Sequence, residues 1–323
     1  MTKEESKMMQ GVAILIMIFY HLFNPHDASQ YTGSVLGRAA MAHNPVPFFV
    51  LLSGYGLYKQ RLNGGASKSK LSRCLSLYLR YWMVLTIFLI ISSCMGDNRC
   101  DLSFISVVDN YLGFISTFYL PSWFILPYCL LVVACTYIFK IIDRLGFVWT
   151  FLLSYSIYVV TAYLTKYTLF QGNAFQVFYI FFPFCLGALM AKVDFVEKAD
   201  LFFKRYPAPL LLCLLMVAFF LRCLVYSGAV LSFYAALFIS LLVILLRRSR
   251  KTMYILTYLG KASCFMWMIH AWICWYLFRD VVYGLDNPLL IFAFVTLVSY
   301  VLAIVFNYLL STVNYLFKLI YHV

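Results

Sequence analysis

Apolar stretches with the length of a bilayer crossing recur along this chain from one end to the other. A helix needs about 20 apolar residues to cross the hydrocarbon layer of a membrane. Ten windows approach that length, at residues 8–26, 39–58, 76–95, 122–140, 146–165, 175–191, 208–226, 229–246, 254–278 and 289–317. The pattern predicts an all-α, polytopic membrane bundle of about ten helices, with residues 1–323 in a single domain.

The composition excludes an ordinary soluble fold. Hydrophobic residues make up 64% of the chain and charged residues only 11%, whereas a soluble domain has about a quarter charged residues. The formal net charge of +13 would suit nucleic acid, but the basic residues lie in short loops between the apolar windows. That distribution is typical of orientation in a membrane, and we expect no nucleic-acid partner.

The basic residues also predict the orientation. If the N-terminus is cytoplasmic, the loops alternate in charge, and only five of the 25 Lys and Arg residues fall on the outer side: Arg38, Arg99, Lys166, Arg222 and Arg279. Short cytoplasmic loops carry an excess of Lys and Arg. The sequence therefore predicts that both termini lie in the cytoplasm.

Two histidines, His21 and His270, lie well inside the apolar runs of predicted helices, whereas His26 and His43 are assigned to the first outer loop. His21 lies about 13 residues into the first window, roughly 20 Å from its start at 1.5 Å per residue, and His270 lies 16 residues beyond Tyr254 in the ninth. Both helices are expected to run outward, so the two imidazoles should lie at similar depth. Ionisable residues at bilayer depth are costly and usually functional, and imidazole transfers protons near neutral pH. The alternative is that each ring only hydrogen-bonds a neighbouring helix.

Cationic residues lie at the predicted cytoplasmic ends of two helices. Arg73 and Arg80 are seven residues apart at the start of the third helix, and Lys261 precedes His270 by nine residues. One explanation of these residues is that they set the orientation of the protein in the membrane and extend their charged ends to the aqueous surface. Guanidinium groups also bind phosphate through paired hydrogen bonds, so the pattern favours a phosphate-rich cytoplasmic ligand.

Two further residues are candidate contacts to a substrate. Ser53 lies among small residues in the second window, where close helix packing is the alternative role. Trp123 opens the fourth window, where it would serve either as an interfacial anchor or as a wall of a sugar site. The chain has no His/Cys spacing suited to zinc and no glycine-rich phosphate loop, so we expect neither a metal nor a tightly bound cofactor.

Four segments in this order resemble the acyltransferase 3 family of integral membrane acyltransferases. They are residues 11–21, with His21 at the end; residues 47–58, with the Phe-Phe-Val-Leu-Leu-Ser-Gly sequence; Trp123-Phe124; and residues 259–270, with Gly-Lys-Ala-Ser before His270. Their spacing covers nearly the whole chain, and the family's ten spans match the predicted number.

The resemblance implies a function. Members of this family move an acyl group, usually acetyl from acetyl-CoA, to hydroxyls of surface polysaccharides, O-antigens or related glycolipids. For this chain it implies His21 as the catalytic histidine, Arg73 as an arginine of the family pattern, and His270 with Lys261 as a second polar cluster. It further implies a multi-pass protein of a bacterial inner (plasma) membrane, with acetyl-CoA, a glycan or glycolipid acceptor and membrane lipid as its partners.

The chain departs from the family pattern at two positions. Gln10 stands where an arginine or lysine is frequent, and Ser76 stands where many members have a second arginine. Lys7 and Arg80 are the candidates to supply the missing positive charges.

The residues leave both the mechanism and the function class open. His21 is expected either to deprotonate the acceptor hydroxyl as a general base or to accept the acyl group itself. The alternative function is a proton-coupled transporter or flippase of a glycolipid or small solute, with the histidines as a proton relay. A non-catalytic membrane scaffold or sensor with the same fold is a further alternative.

Overall fold

The computed structural model describes residues 1–64, 69–97, 99–165, 172–225 and 227–321, so Lys166 lies outside the described residues. Every regular element in these ranges is helical. The thirteen α-helices are α1 Lys3–Phe23, α2 Val35–Ala42, α3 Val46–Leu62, α4 Lys70–Cys94, α5 Phe104–Leu112, α6 Ile125–Leu164, α7 Gln176–Lys192, α8 Phe195–Phe203, α9 Ala208–Leu224, α10 Gly228–Leu246, α11 Arg250–Ala271, α12 Arg279–Tyr283 and α13 Pro288–Tyr321.

The all-α membrane architecture agrees with the sequence. Among the described residues, seven helical stretches are long and apolar enough to cross a membrane: Lys3–Phe23, Val35–Leu62, Lys70–Cys94, Leu120–Leu164, Asn173–Lys192, Gly228–Leu246 and Pro288–Tyr315. Helix α9 is apolar but shorter, and α11 has cationic and polar residues within it. The count of ten crossings and the cytoplasmic location of the termini stay predictions.

Helix α6 divides into two segments. Its 40 residues would extend about 60 Å at 1.5 Å per residue, about twice the thickness of the hydrocarbon layer. Gly146 interrupts the helical backbone with φ 73° and ψ −171°, a conformation that glycine adopts without the steric cost of a Cβ. The break lies at the boundary between the predicted windows 122–140 and 146–165.

The second predicted window is also divided. Helix α2 ends at Ala42, and α3 begins at Val46, directly after Pro45 and with Pro47 in its first turn. Proline is tolerated at this position because the first N–H groups of a helix have no intrahelical partner. The break places His43 between two helices.

Reciprocal glycine contacts bring α1 and α11 together. A Cβ on Gly11 would lie 2.0 Å from the Leu256 carbonyl oxygen, and one on Gly260 would lie 1.8 Å from the Lys7 carbonyl oxygen. Neither position can hold a side chain unless the backbones separate. Small residues at membrane helix contacts allow this close approach, and here it fixes α1 beside α11, the helices of His21 and His270.

A second pair of glycines joins α3 to α7 in the same way. A Cβ on Gly54 would lie 2.1 Å from the Phe184 carbonyl oxygen, and one on Gly187 would lie 2.1 Å from the Leu51 carbonyl oxygen. Two large apolar clusters surround these contacts, one centred on α3, α6, α7 and α10 and the other on α1, α4, α11 and α13. The two helix pairs therefore form the rigid centre of the bundle.

Candidate active site

His21 lies in the last turn of α1, where its side chain is 15% exposed. Trp275 contacts it twice: the indole Nε1 donates a hydrogen bond to the His21 carbonyl oxygen at 3.1 Å, and the indole ring meets the imidazole edge-to-face at 4.5 Å between centroids. The ring of Tyr20 lies on another side, at 5.0 Å. These contacts restrict the orientation of an imidazole that solvent or a substrate can still reach.

His270 lies beside His21 and is fully buried on α11. The two imidazole centroids are 5.1 Å apart, with the planes tilted by 34°. Nδ1 of His270 donates to the Met266 carbonyl oxygen at 3.1 Å, because a carbonyl oxygen can only accept. In the neutral ring, Nε2 therefore carries the lone pair, and it has no hydrogen-bond partner among the described residues.

Asp27 completes the group and was missed in the sequence analysis. Its Oδ2 lies 3.4 Å from Nδ1 of His21, and its side chain is 17% exposed. A donated Nδ1–H would leave Nε2 of His21 as the basic nitrogen. The chain turns back just after α1, where the Asp27 N–H donates to the Asn24 carbonyl oxygen at 2.9 Å, and Arg279 donates to the Asp27 carbonyl oxygen at 3.3 Å.

A π-helical turn follows His270 directly, at Trp272–Leu277. Such turns are rare and are frequently found at functional sites. This one places Trp275 against His21, while the Arg99 guanidinium lies 4.0 Å from the ring centroid of Tyr276 and 5.3 Å from that of Trp272. The turn therefore shapes the wall of the site, and an arginine covers its other face.

A basic cluster is formed by Lys7 in the second turn of α1, Arg80 near the middle of α4 and Lys261 near the middle of α11. Lys7 Nζ donates to Gln10 Oε1 at 2.9 Å, and Arg80 donates to Ser76 Oγ at 3.0 Å. The charges of Arg80 and Lys261 both act on the Lys7 ammonium. Lys7 and Arg80 thus bond the side chains of Gln10 and Ser76, the two residues at which the sequence departs from the family pattern.

The predicted donor-binding cations differ from their neighbours in having no acidic partner. Lys59 pairs with Asp194, and Arg61 pairs with Asp143 at 2.5 Å. Within the described ranges, no carboxylate forms an ion pair with the following four cations: Lys7, Arg73, Arg80 and Lys261. Their charge is therefore available to a polyanion.

Ser53 and Arg73 are each engaged by another polar side chain. The hydroxyls of Ser53 and Tyr128 share a hydrogen bond at 3.1 Å. Arg73 itself donates to Gln60 Oε1 at 2.5 Å. This places Ser53 inside the bundle, with its hydroxyl already engaged by another side chain.

Trp123 lies apart from the histidine pair. It belongs to the 3₁₀ turn Leu120–Phe124, and its ring meets Phe124 edge-to-face at 5.8 Å. Phe124 in turn contacts Trp267 of α11 at 5.7 Å. Of the sequence candidates, the structure therefore brings His21 and His270 together, whereas the ring contact of Trp123 is with Phe124.

The sequence model of the acyltransferase 3 family, described as an acyltransferase domain, matches residues 5–308. No curated protein and no solved structure matches the chain.

Proposed function

Because this chain belongs to the acyltransferase 3 family, we propose that it moves an acetyl group from acetyl-CoA to a hydroxyl of a cell-surface glycan. The family supports a membrane acyltransferase in general.

The unpaired cations support a donor of the acyl-CoA type. CoA has several phosphate groups, and Arg and Lys bind phosphates through charge-assisted hydrogen bonds. Lys7 and Arg80 lie near Lys261, at the end of the bundle that the charge distribution assigns to the cytoplasm, where acetyl-CoA is made. Along α1, 14 residues separate Lys7 from His21, or about 21 Å, a distance that the extended pantetheine arm would have to cover.

His21 is the proposed general base. Its Nε2 takes the proton of the acceptor hydroxyl while that oxygen attacks the thioester carbonyl carbon. The C–S bond then breaks, and the proton passes to the CoA thiolate. Asp27 faces Nδ1 of His21 at 3.4 Å and orients the ring, and a base in this role typically contributes about 10²–10⁴-fold.

A covalent route uses the same atoms. Nε2 of His21 attacks the thioester, and CoA leaves as the thiol with the proton released from Nδ1. The neutral acetyl-imidazole then transfers its acetyl group to the acceptor hydroxyl, whose proton returns to the imidazole. In both routes, His270 is a positioning residue, since its buried ring lies against His21 and limits where that imidazole can point. We propose that the acceptor approaches from the outer face, because the outward end of α1 carries His21.

The observation that carries this proposal is the Asp27–His21–His270 group in a chain of an acyltransferase family. The test is the O-acetyl content of the surface glycan, measured by NMR in cells that lack the gene and in cells that carry it again. Restoration by the wild type but not by an equally abundant His21→Ala variant is expected. Unchanged glycan acetylation in the deletion strain would contradict the proposal.

The same cells distinguish the transporter alternative. An acyltransferase consumes acetyl-CoA in proportion to the acetyl groups that appear on the acceptor. A transporter or flippase would instead change the amount of glycan or solute on the outer side, with no stoichiometric release of CoA.

A further inference from the structure

A second buried polar cluster lies away from the basic cytoplasmic face, at the outer side of the predicted topology. It consists of His43, Arg222 and Tyr234, which are 3%, 4% and 8% exposed. His43 follows α2, Arg222 lies in the last turn of α9, and Tyr234 lies in the second turn of α10. Three separate helices thus place polar groups in one buried region.

Ring contacts hold the cluster together. The His43 imidazole stacks on Phe219 at 4.2 Å between centroids and meets Tyr234 edge-to-face at 5.2 Å. Phe219 and Arg222 are three residues apart on α9 and therefore lie on the same helix face. The charge of Arg222 acts on both His43 and Tyr234.

Each member of the cluster has a buried polar atom without a hydrogen-bond partner in the described part of the chain. These atoms are His43 Nε2, Arg222 Nε and Tyr234 Oη. His43 Nδ1 donates to the Ala39 carbonyl oxygen at 2.7 Å, so its Nε2 is an acceptor in the neutral ring, whereas Arg222 Nε is a donor. Buried polar groups are nearly always paired, so three unpaired ones in one region require a polar partner, either a buried water or a ligand.

The end of α10 adds positive potential to the same region. Helix α10 begins at Gly228 and runs for 19 residues, and the N-terminus of a helix of this length attracts anions. The Tyr158 hydroxyl lies 3.1 Å from the place where a Cβ on Gly228 would be.

The charge of Arg222 is not neutralised within the ranges that the structure describes, since none of their carboxylates pairs with it. We propose that Arg222 Nε and the Tyr234 hydroxyl bind a phosphate group, with the positive end of the α10 dipole nearby. A phosphate presents several acceptor oxygens, which match donors on separate helices. His43 Nε2 would accept a hydrogen bond from a hydroxyl of the same ligand, as in a sugar phosphate or a hydrogen phosphate.

Arg222 lies in the last turn of α9 and His21 in the last turn of α1, and both helix ends face outward in the predicted topology. If the proposed acyl transfer is correct, the phosphate belongs to the acceptor, and binding it would anchor a phosphorylated glycolipid with a sugar hydroxyl near His21. This last step alone rests on the proposed function.

A capping role is the plain structural alternative for Arg222. One of its terminal nitrogens donates to the Val225 carbonyl oxygen, and a cation at a helix C-terminus is favourable. Capping accounts for that bond but not for the unpaired Nε or for the Tyr234 hydroxyl. Tyr234→Phe, which removes only the hydroxyl, therefore separates the two roles: it should weaken phosphate binding if Arg222 and Tyr234 bind a ligand, and should have no such effect if Arg222 only caps α9.

The test titrates inorganic phosphate into the purified full chain in a phosphate-free detergent and follows the melting temperature by tryptophan fluorescence. A saturable rise is expected for the wild type and for Arg38→Gln, a control at an exposed arginine on the same side. Arg222→Gln should lose the rise. Tyr234→Phe should weaken binding at least about tenfold, the loss expected for one hydrogen bond to a charged group, without lowering the melting temperature in the absence of phosphate.

A parallel arm identifies the source of the phosphate. Phosphatidylglycerol is added in mixed micelles in place of inorganic phosphate. A rise that depends on Arg222 with this lipid would identify a lipid headgroup, and a rise with inorganic phosphate alone would identify a soluble or sugar-linked phosphate. The proposal is overturned if neither probe stabilises the wild type, or if Tyr234→Phe binds phosphate as tightly as the wild type. Because no arm measures acyl transfer, failure here leaves the proposed function untouched.

Discussion

Replacing Asp27 with asparagine tests the chemistry assigned to His21. The amide keeps the size of the side chain but loses the negative charge that faces Nδ1 at 3.4 Å. In serine proteases, where the carboxylate is buried and tightly bonded, the equivalent change costs about 10⁴-fold. Here the contact is longer than a typical hydrogen bond and the carboxylate is 17% exposed. A loss of about 10–100-fold is therefore expected, or about 1.4–2.7 kcal/mol of barrier at 1.36 kcal/mol for each tenfold.

The assay is the release of CoA by the purified full chain with acetyl-CoA and acceptor, at equal protein amounts. The loss should fall on kcat, with the KM for acetyl-CoA unchanged, because Asp27 lies far from the basic cluster. Asp280→Asn, at an exposed aspartate of α12, is the matched control and should retain full activity. A change of less than twofold in Asp27→Asn would refute the role given to this carboxylate.

The remaining predictions concern the helix contact and the two ends of the site. Gly260→Val should lower the melting temperature markedly, because even a Cβ would lie 1.8 Å from a carbonyl oxygen of α1. Overpacking of this kind costs about 1–3 kcal/mol or more. Its control is Gly56→Val, where a Cβ meets nothing within 4 Å, and this variant should melt like the wild type. Arg80→Gln should raise the KM for acetyl-CoA about tenfold with little change in kcat, as measured by initial rates, whereas Lys59→Gln, whose charge is already paired, should leave that KM unchanged. His270→Phe should lower kcat without altering the KM for acetyl-CoA. A KM for acetyl-CoA that rises by the same factor as kcat falls would contradict a positioning role.

Much of the fold follows from the spacing of the apolar residues, but its breaks do not. Windows of about 20 residues predict membrane helices because the thickness of the hydrocarbon layer is fixed. They do not show that one helical stretch runs from Leu120 to Leu164 with its only break at Gly146, since that depends on how the two segments pack. The small residues near Ser53 correctly suggested that another helix packs closely there. Gly54 lies directly against a carbonyl oxygen of α7, while Gly56 faces open space.

The histidine pair could be predicted because helical rise alone sets the depth of His21 and His270, and the structure places their rings 5.1 Å apart. Asp27 could not be predicted, because it lies beyond the end of α1 and reaches His21 only through a turn. Its one signal in the sequence is an acidic residue shortly after the apolar run. Trp275 was missed for a related reason, since its approach to His21 depends on the π-helical turn.

The most direct measurement of the central claim is the rate at which the purified, reconstituted full chain transfers radiolabelled acetyl from acetyl-CoA, compared between the wild type and His21→Ala. Equal folding of the two proteins is established first by their circular dichroism and melting temperatures. A fall of about 10²–10⁴-fold, the contribution of a general base, is expected. Transfer by His21→Ala at the rate of the wild type would contradict the claim that this imidazole moves the proton or carries the acyl group.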